Sequence, residues 1–297
     1  MSNMSNITHT STDLYPSLLA VLAHPDDETF GTGGTLARYA WSGTRVHLIC
    51  ATGGEAGTVD PHFLEGFNSI AELRRNELEC AARTLGLNSV EMLGYRDSGM
   101  PGSADNRHPN ALAAADIEAV TARIVHSIRR LRPQVVITFD PIGGYRHPDH
   151  IAVHQATVNA FYAAGDPQQF PEDLPPYQPQ KLYYQTFPRR LLRLFVRILP
   201  LFGRDPRRFG RNQDVDLTEL AHVDFPIHAG IDIWAMGRTR SAAADCHASQ
   251  GGQPNLVGRM LGWLLLFFGG KEMYMRAHPP APEDLHESDL FEGVTYN

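Results

Sequence analysis

From Ser17 onward, short apolar runs alternate with longer amphipathic segments, and that rhythm leaves the chain few folds. "LLAVLA", "RVHLICA", "VEMLGY" and "QVVITFD" have the length and apolar content of buried strands. "IAELRRNELECAARTLG", "ALAAADIEAVTARIVHSIRRLRP" and "HIAVHQATVNAFYAAG" carry apolar residues at helical spacing, and the first closes on a glycine. Strands joined through helices of this length need right-handed crossovers and therefore lie parallel. The sequence predicts an α/β fold: a Rossmann-like, doubly wound, mainly parallel sheet with its site at the carboxyl ends of the strands, plus a C-terminal extension.

After Gly165 the rhythm breaks at the proline-rich "DPQQFPEDLPPYQPQ", and "KLYYQTFP" resumes as a further strand. A polar, flexible tail is expected over 1–16, then a single domain over 17–297 with a basic amphipathic insertion around 188–212. That insertion, "RRLLRLFVRILPLFGRDPRRFGR", reads as a solvated helix packing its Leu and Phe side chains on the core, in preference to a lid or a membrane-surface helix.

Composition narrows the partners. The net charge of −7 opposes a protein-wide attraction to nucleic acid. The opening residues lack the basic and apolar regions of a signal peptide, which points to the cytoplasm. "LVGRMLGWLLLFFGG" contains Arg259 and falls short of the ~20 residues of a spanning helix, so it reads as core. Cys50, Cys80 and Cys246 are far apart with no C-x-x-C pair, and are expected to be reduced. The oligomeric state is left open.

Four unusual polar segments follow the four predicted strands: "HPDDE", "ATGGEAGT", "GYRDSGM" and "FDPIGGYRHPDH". In a doubly wound sheet they converge on one edge. Adjacent carboxylates beside a hydrophobic strand are costly unless paired or bound to a cation. His24 and Asp27, three residues apart, can face one point, and "HPDH" supplies His147 and His150. Two imidazoles and one carboxylate with an open position are a zinc donor set, with iron(II) as the alternative, whereas calcium and magnesium want oxygen shells. The glycine-rich "FGTGGT" raises a rival, a phosphate cradle, but Asp26 and Asp27 beside it have the wrong charge.

These residues resemble the PIG-L/LmbE family of zinc-dependent N-acetylglucosaminyl deacetylases, through "AHPDDE" paired with "GGYRHPDH", over roughly Ser17 to Gly165 and again weakly at "RSAAADCHASQ". "RRNELECAARTLG" and "GYRDSGM" look more particularly like the branch acting on mycothiol precursors and conjugates. The resemblance implies His24, Asp27 and His150 as zinc ligands and Asp26 as general base. It implies His147, oriented by Asp149, as the group stabilising the transition state and leaving group, and Tyr145 as a hydroxyl on the oxyanion. Arg74 and Asp97 match positions that contact sugar hydroxyls.

The chemistry of the residues agrees. An acetamide resists hydrolysis because water is a weak nucleophile, the carbonyl is resonance-stabilised and an amine leaves badly, and zinc answers the first two. A free Asp26 beside a ligand Asp27 can take the water's proton. Asp149 is expected to raise the pKa of His147 and keep it cationic. Glu28 is left with a hydrogen bond to a ligand or a helix N-terminus. The expected activity is removal of acetate from an N-acetylglucosamine conjugate of the glucosaminyl-inositol type. The alternatives are an amidase of thiol S-conjugates, a deacetylase of a lipid-linked glycan, and a metal-containing carbohydrate-binding protein without turnover.

Overall fold

The computed structural model describes residues 15–171, 174–187, 189–209, 213, 215–251 and 270–296. Most of the N-terminal tail, parts of the basic insertion and nearly all of "LVGRMLGWLLLFFGG" lie outside the described residues.

In chain order the first half runs β1 (Ser17–Leu22), α1 (Asp27–Phe30), α2 (Gly33–Trp41), β2 (Arg45–Thr52), α3 (Ile70–Leu85), β3 (Ser89–Tyr95), α4 (Ile117–Leu131), β4 (Val135–Phe139), α5 (Gly143–Arg146) and α6 (Pro148–Ala163). The second half adds β5 (Lys181–Thr186), α7 (Arg189–Ile198), α8 (Leu217–Leu220), β6 (Ala229–Asp232), α9 (Gly237–Cys246), α10 (Ala248–Gly251) and β7 (Lys271–His278). One seven-stranded sheet has the order β3-β2-β1-β4-β5-β7-β6. The first five strands are parallel, while β7 runs antiparallel to both β5 and β6. The sheet is therefore mixed. The chain leaves β1 towards β2 on one side and returns to β4 on the other, so the carboxyl ends of β1 and β4 flank the switch in strand order where such sheets bind ligands.

Local chemistry explains the helices that present the site. Helix α3 starts at Ser69, whose hydroxyl accepts from the Glu72 N–H at 3.1 Å, and stops at Gly86 in the left-handed region at φ 81°. Helix α6 begins on Pro148, with the His147 ring accepting from the Asp149 N–H at 3.2 Å. Strands β1 and β4 are wholly buried, as strands covered on both faces should be.

The glycine-rich run cradles no phosphate. The carboxylate of Glu272 in β7 accepts from the N–H groups of Gly34 at 3.0 Å and Thr35 at 2.7 Å, filling the N-terminus of α2 with the chain's own anion. The basic insertion packs Leu192, Phe195, Val196 and Leu199 against Leu217, Leu220 and Ile142, forming a small satellite core next to α5. Among the described residues no helix is long and apolar enough to cross a membrane.

The cysteine expectation is corrected. Cys80 in α3 and Cys246 at the end of α9 form a disulfide across 166 residues, while Cys50 stays free and buried. The pairing has no spacing signature because it joins two helices that meet only in the folded chain. Closing so long a loop stabilises by about 2–5 kcal/mol in the chain-entropy account. Cys80→Ser should lower the melting temperature by several degrees, and reductant should lower that of the unaltered protein equally while leaving the variant unchanged. Melting curves with and without reductant check this.

Candidate active site and metal centre

The loops after β1 and β4 bring the predicted donors together. His24 Nδ1 lies 3.1 Å from His150 Nε2 and 3.4 Å from Asp27 Oδ2, and Asp27 Oδ1 lies 3.4 Å from His150 Nε2. Ligand atoms held at 2.0–2.1 Å by a tetrahedral zinc stand about 3.4 Å apart, so these three side chains have the spacing and chemistry of a cation site. His24 and His150 are buried and Asp27 is 12% exposed. Ring nitrogens and carboxylates also converge in two overlapping groups, His24 with His147 and His150, and His24 with Asp97, His147 and Asp149. The tighter triangle around Asp27 leaves Asp26, its neighbour, free for another task.

Charge tells the same story. Burial alone would lower the pKa of His24, but Asp149, Asp27 and Asp97 outweigh it and raise it well above normal. Burial would raise Asp27, yet His150 and His24 hold it well below the usual carboxylate range. Acids that favour a proton on His24 favour a dication in its place.

Asp26 sits at the rim in a strained backbone conformation, φ 129°. Three contacts hold it there. Arg74 Nη2 donates to Asp26 Oδ2 at 2.9 Å and to the Pro25 carbonyl at 2.5 Å, and the Asp26 N–H donates to Glu28 Oε2 at 3.0 Å. Burial pushes the Asp26 carboxyl up to about 7, against the pull of Arg74. A dication alongside would draw it down again and favour the unprotonated carboxylate that a general base presents.

Around this centre stand the other predicted residues. Asp97 Oδ1 is 3.5 Å from His24 Nε2 and 3.9 Å from His147 Nε2, and His24 and the Gly99 N–H hold its carboxyl low despite burial. Arg74 is anchored to Asp26 and to the Gly54 carbonyl at 3.0 Å, yet it lines the cavity. Tyr145 is 36% exposed and meets the rings of His150 and His147 edge-on at 4.9 and 5.9 Å. Gly143 lets its loop close over His150, since a Cβ there would come within 2.7 Å of the His150 Cβ.

Two expectations about His147 change. Asp149 points elsewhere: its carboxylate lies 3.1 Å from His24 Nε2 but 4.0 Å from His147 Nδ1, and it is held by the Ser98 N–H at 2.9 Å and the Ser98 hydroxyl. Nor is His147 kept cationic. Burial, then the positive charges on His24 and His150, push its pKa down to about 2. Because Nδ1 accepts from the Asp149 N–H, the neutral ring carries its proton on Nε2.

Sequence reasoning passed over Ser98, Glu55 and His247. Glu55 Oε2 accepts from the Asp97 N–H at 2.9 Å. His247 Nε2 meets Glu28 Oε1 at 2.7 Å, both fully buried, and so steadies the loop that holds Asp26. The weak "RSAAADCHASQ" resemblance was the signal available for His247. His247→Ala removes one partner of a buried pair, which costs about 3–5 kcal/mol. Burial opposes the charge on His247, but the Glu28 contact raises its pKa. The pair's contribution is therefore fully present below the unfolded histidine value near ~6.5 and fades as pH rises through the folded value. Urea unfolding should show the gap between the two proteins largest at pH 6 and narrowing towards pH 9.

Two cavities meet at Asp26 and Tyr145. One, of about 440 Å³, is polar and is lined by Arg74, Asp97, His147, Ser103 and Gln250 among others. The other, of about 250 Å³, is walled mainly by aromatic rings.

The PIG-L family profile, described as GlcNAc-PI de-N-acetylase, matches residues 19–161. A 1D-myo-inositol 2-acetamido-2-deoxy-alpha-D-glucopyranoside deacetylase of Thermobifida fusca is 36% identical over 288 residues, covering 92% of this chain and 98% of its own. A protein of the same name from Kineococcus radiotolerans is 46% identical over 249 residues, covering 78% and 68%. Among solved structures, the N,N'-diacetylchitobiose deacetylase of Pyrococcus horikoshii superposes with a TM-score of 0.61 at 21% identity, over 94% of this chain and 86% of that one, a likeness of fold.

Proposed function

Since the chain belongs to the PIG-L family of de-N-acetylases, we propose that it is a zinc hydrolase releasing acetate from an N-acetylglucosaminyl inositol. One observation carries the reading: His24, Asp27 and His150 converge at the spacing of metal ligands, with a separate carboxylate, Asp26, at the junction of two cavities. The names of the Thermobifida and Kineococcus relatives supply the inositol glycoside, and the polar cavity offers charged and hydroxyl-bearing side chains suited to its hydroxyl groups.

The donor set fits zinc by nitrogen and oxygen chemistry and by spacing. Held by His24, Asp27 and His150, zinc would supply Lewis acidity towards the amide carbonyl and the attacking water. Asp26 accepts that water's proton on a carboxylate oxygen while Arg74 holds the other side of its carboxylate. Neutral His147 presents Nε2–H to the oxygen that gains negative charge, and Tyr145 stands beside it to donate its hydroxyl. Asp26, now protonated, returns the proton to the departing amine nitrogen. Asp149 and Ser98 fix the His24 ring so that Nδ1 faces the cation site.

The test is amine release from N-acetylglucosaminyl inositol by zinc-loaded protein. Turnover at roughly 1–10³ s⁻¹, the ordinary enzymatic range, is expected. Protein holding a full equivalent of zinc that releases no amine would overturn the substrate assignment.

A further inference from the structure

The aromatic-walled cavity is far larger than an acetyl methyl requires. It measures about 250 Å³, whereas a methyl-sized group fills roughly the ~30 Å³ of a water molecule. Phe30, Phe139 and Phe187 line it together with Asp27 and His150. Polar side chains interrupt these walls, among them Asp26, Asp140 and Gln185. Gln185, near the end of β5, lines the cavity, is 8% exposed, and has a buried carboxamide oxygen with no hydrogen-bond partner.

Its position is built in. At Gly31 a Cβ would lie 2.4 Å from Gln185 Nε2 and 2.7 Å from Oε1, so the absent side chain is what admits the carboxamide beside α1. The neighbouring carboxylates are already partnered: Asp140 accepts from the Ile142 N–H at 3.1 Å and the Gly144 N–H at 2.8 Å, and Asp26 from Arg74 at 2.9 Å. A buried acceptor left unpaired is costly, and a ligand that pairs it recovers that cost on binding.

We propose that this cavity is the acyl subsite and that Gln185 selects acyl groups bearing a hydroxyl on the carbon next to the carbonyl, so that N-glycolyl amino-sugar amides are substrates. The proposal rests on the deacetylase reading above. An amide lying at the junction sends its amine side into the polar cavity and its acyl carbon into the aromatic one. Phenylalanine rings suit a carbon chain but cannot pair the carboxamide. A hydroxyl donates to Oε1 or accepts from Nε2, and so satisfies the carboxamide in either orientation. The reaction balances as ordinary hydrolysis: water adds to the carbonyl carbon, the C–N bond breaks, glycolate keeps the water's oxygen and the amine takes a proton.

The test compares kcat/KM for the N-acetyl, N-glycolyl and N-propionyl forms of one glucosaminyl inositol, in the unaltered protein and in Gln185→Met. CH2OH and CH2CH3 are close in size, so the glycolyl-to-propionyl ratio isolates the hydroxyl. It should be about tenfold in the unaltered protein and fall to unity or below in the variant. A general loss of activity cancels in each ratio, and the hydroxyl's intrinsic effect on amide reactivity cancels between the two proteins. Should the variant not fold, product inhibition gives a second readout, with glycolate expected to inhibit more tightly than propionate. Equal glycolyl and propionyl rates, or a ratio that survives Gln185→Met, would overturn the proposal while acetyl turnover stands. No turnover of the acetyl amide would remove the deacetylase reading and this proposal together.

Discussion

Asp26→Ala should lose about 10²–10⁴-fold in kcat while keeping its metal, the range over which a positioned proton-transfer group contributes. The loss is expected at the upper end because Asp26 handles two protons, the water's and the amine's. Burial and its imidazole neighbours push the pKa of His147 down, which suits it to hydrogen-bond donation more than to proton transfer. Asp26→Asn is the sharper variant. It keeps the shape of the side chain and an acceptor oxygen towards Arg74, so a loss as deep as that of alanine would place the deficit in proton transfer and not in packing. Measured zinc content separates this from damage to the metal site. A variant that kept a full metal equivalent and more than a tenth of the turnover would shift the base elsewhere, with Asp97, a buried carboxylate that lines the polar cavity, the candidate.

How far the sequence reveals these roles follows from chemistry and distance along the chain. The convergence of His24, Asp27 and His150 is legible because the two motifs that carry them are local and lie beside strand ends that the sheet brings together. Asp149 misleads for the same reason. It lies two residues from His147, but Pro148 opens α6 between them, and the helix turns the carboxylate towards Ser98 and His24. Residues whose meaning arises only on folding leave little trace: Glu28 and His247 are 219 positions apart, and Cys80 and Cys246 are 166 apart. The fold divides similarly. Four parallel strands announce themselves by their alternation with helices, and β5 by its apolar run beyond the proline-rich break, whereas β6 and β7 add to the sheet edge where that rhythm has been lost. The glycine-rich run looks like an anion cradle from sequence and is one in structure, but its anion is Glu272, far downstream in β7.

His150→Ala should lose the metal before it loses anything else. Partners one step removed from a metal typically account for 10–100-fold in affinity, so deleting a ligand should cost more than about 10²-fold. Zinc content after dialysis against a graded chelator measures it, without reference to turnover. His150 also stacks on Phe139 at 3.8 Å, so some stability falls with it; Asp27→Asn, which keeps volume and removes charge, is the control for packing. Both variants should release zinc at chelator concentrations that leave Asp26→Ala loaded. The pH dependence has a definite sign. The carboxylates around His24 raise its proton affinity, and metal and proton compete for the same imidazole, so apparent zinc affinity should fall as pH falls in every protein that retains the site. A His150→Ala protein that held zinc as tightly as the unaltered one would transfer the third ligand to His147, the remaining imidazole of the cluster, and the role of oxyanion donor would have to pass to Tyr145 alone.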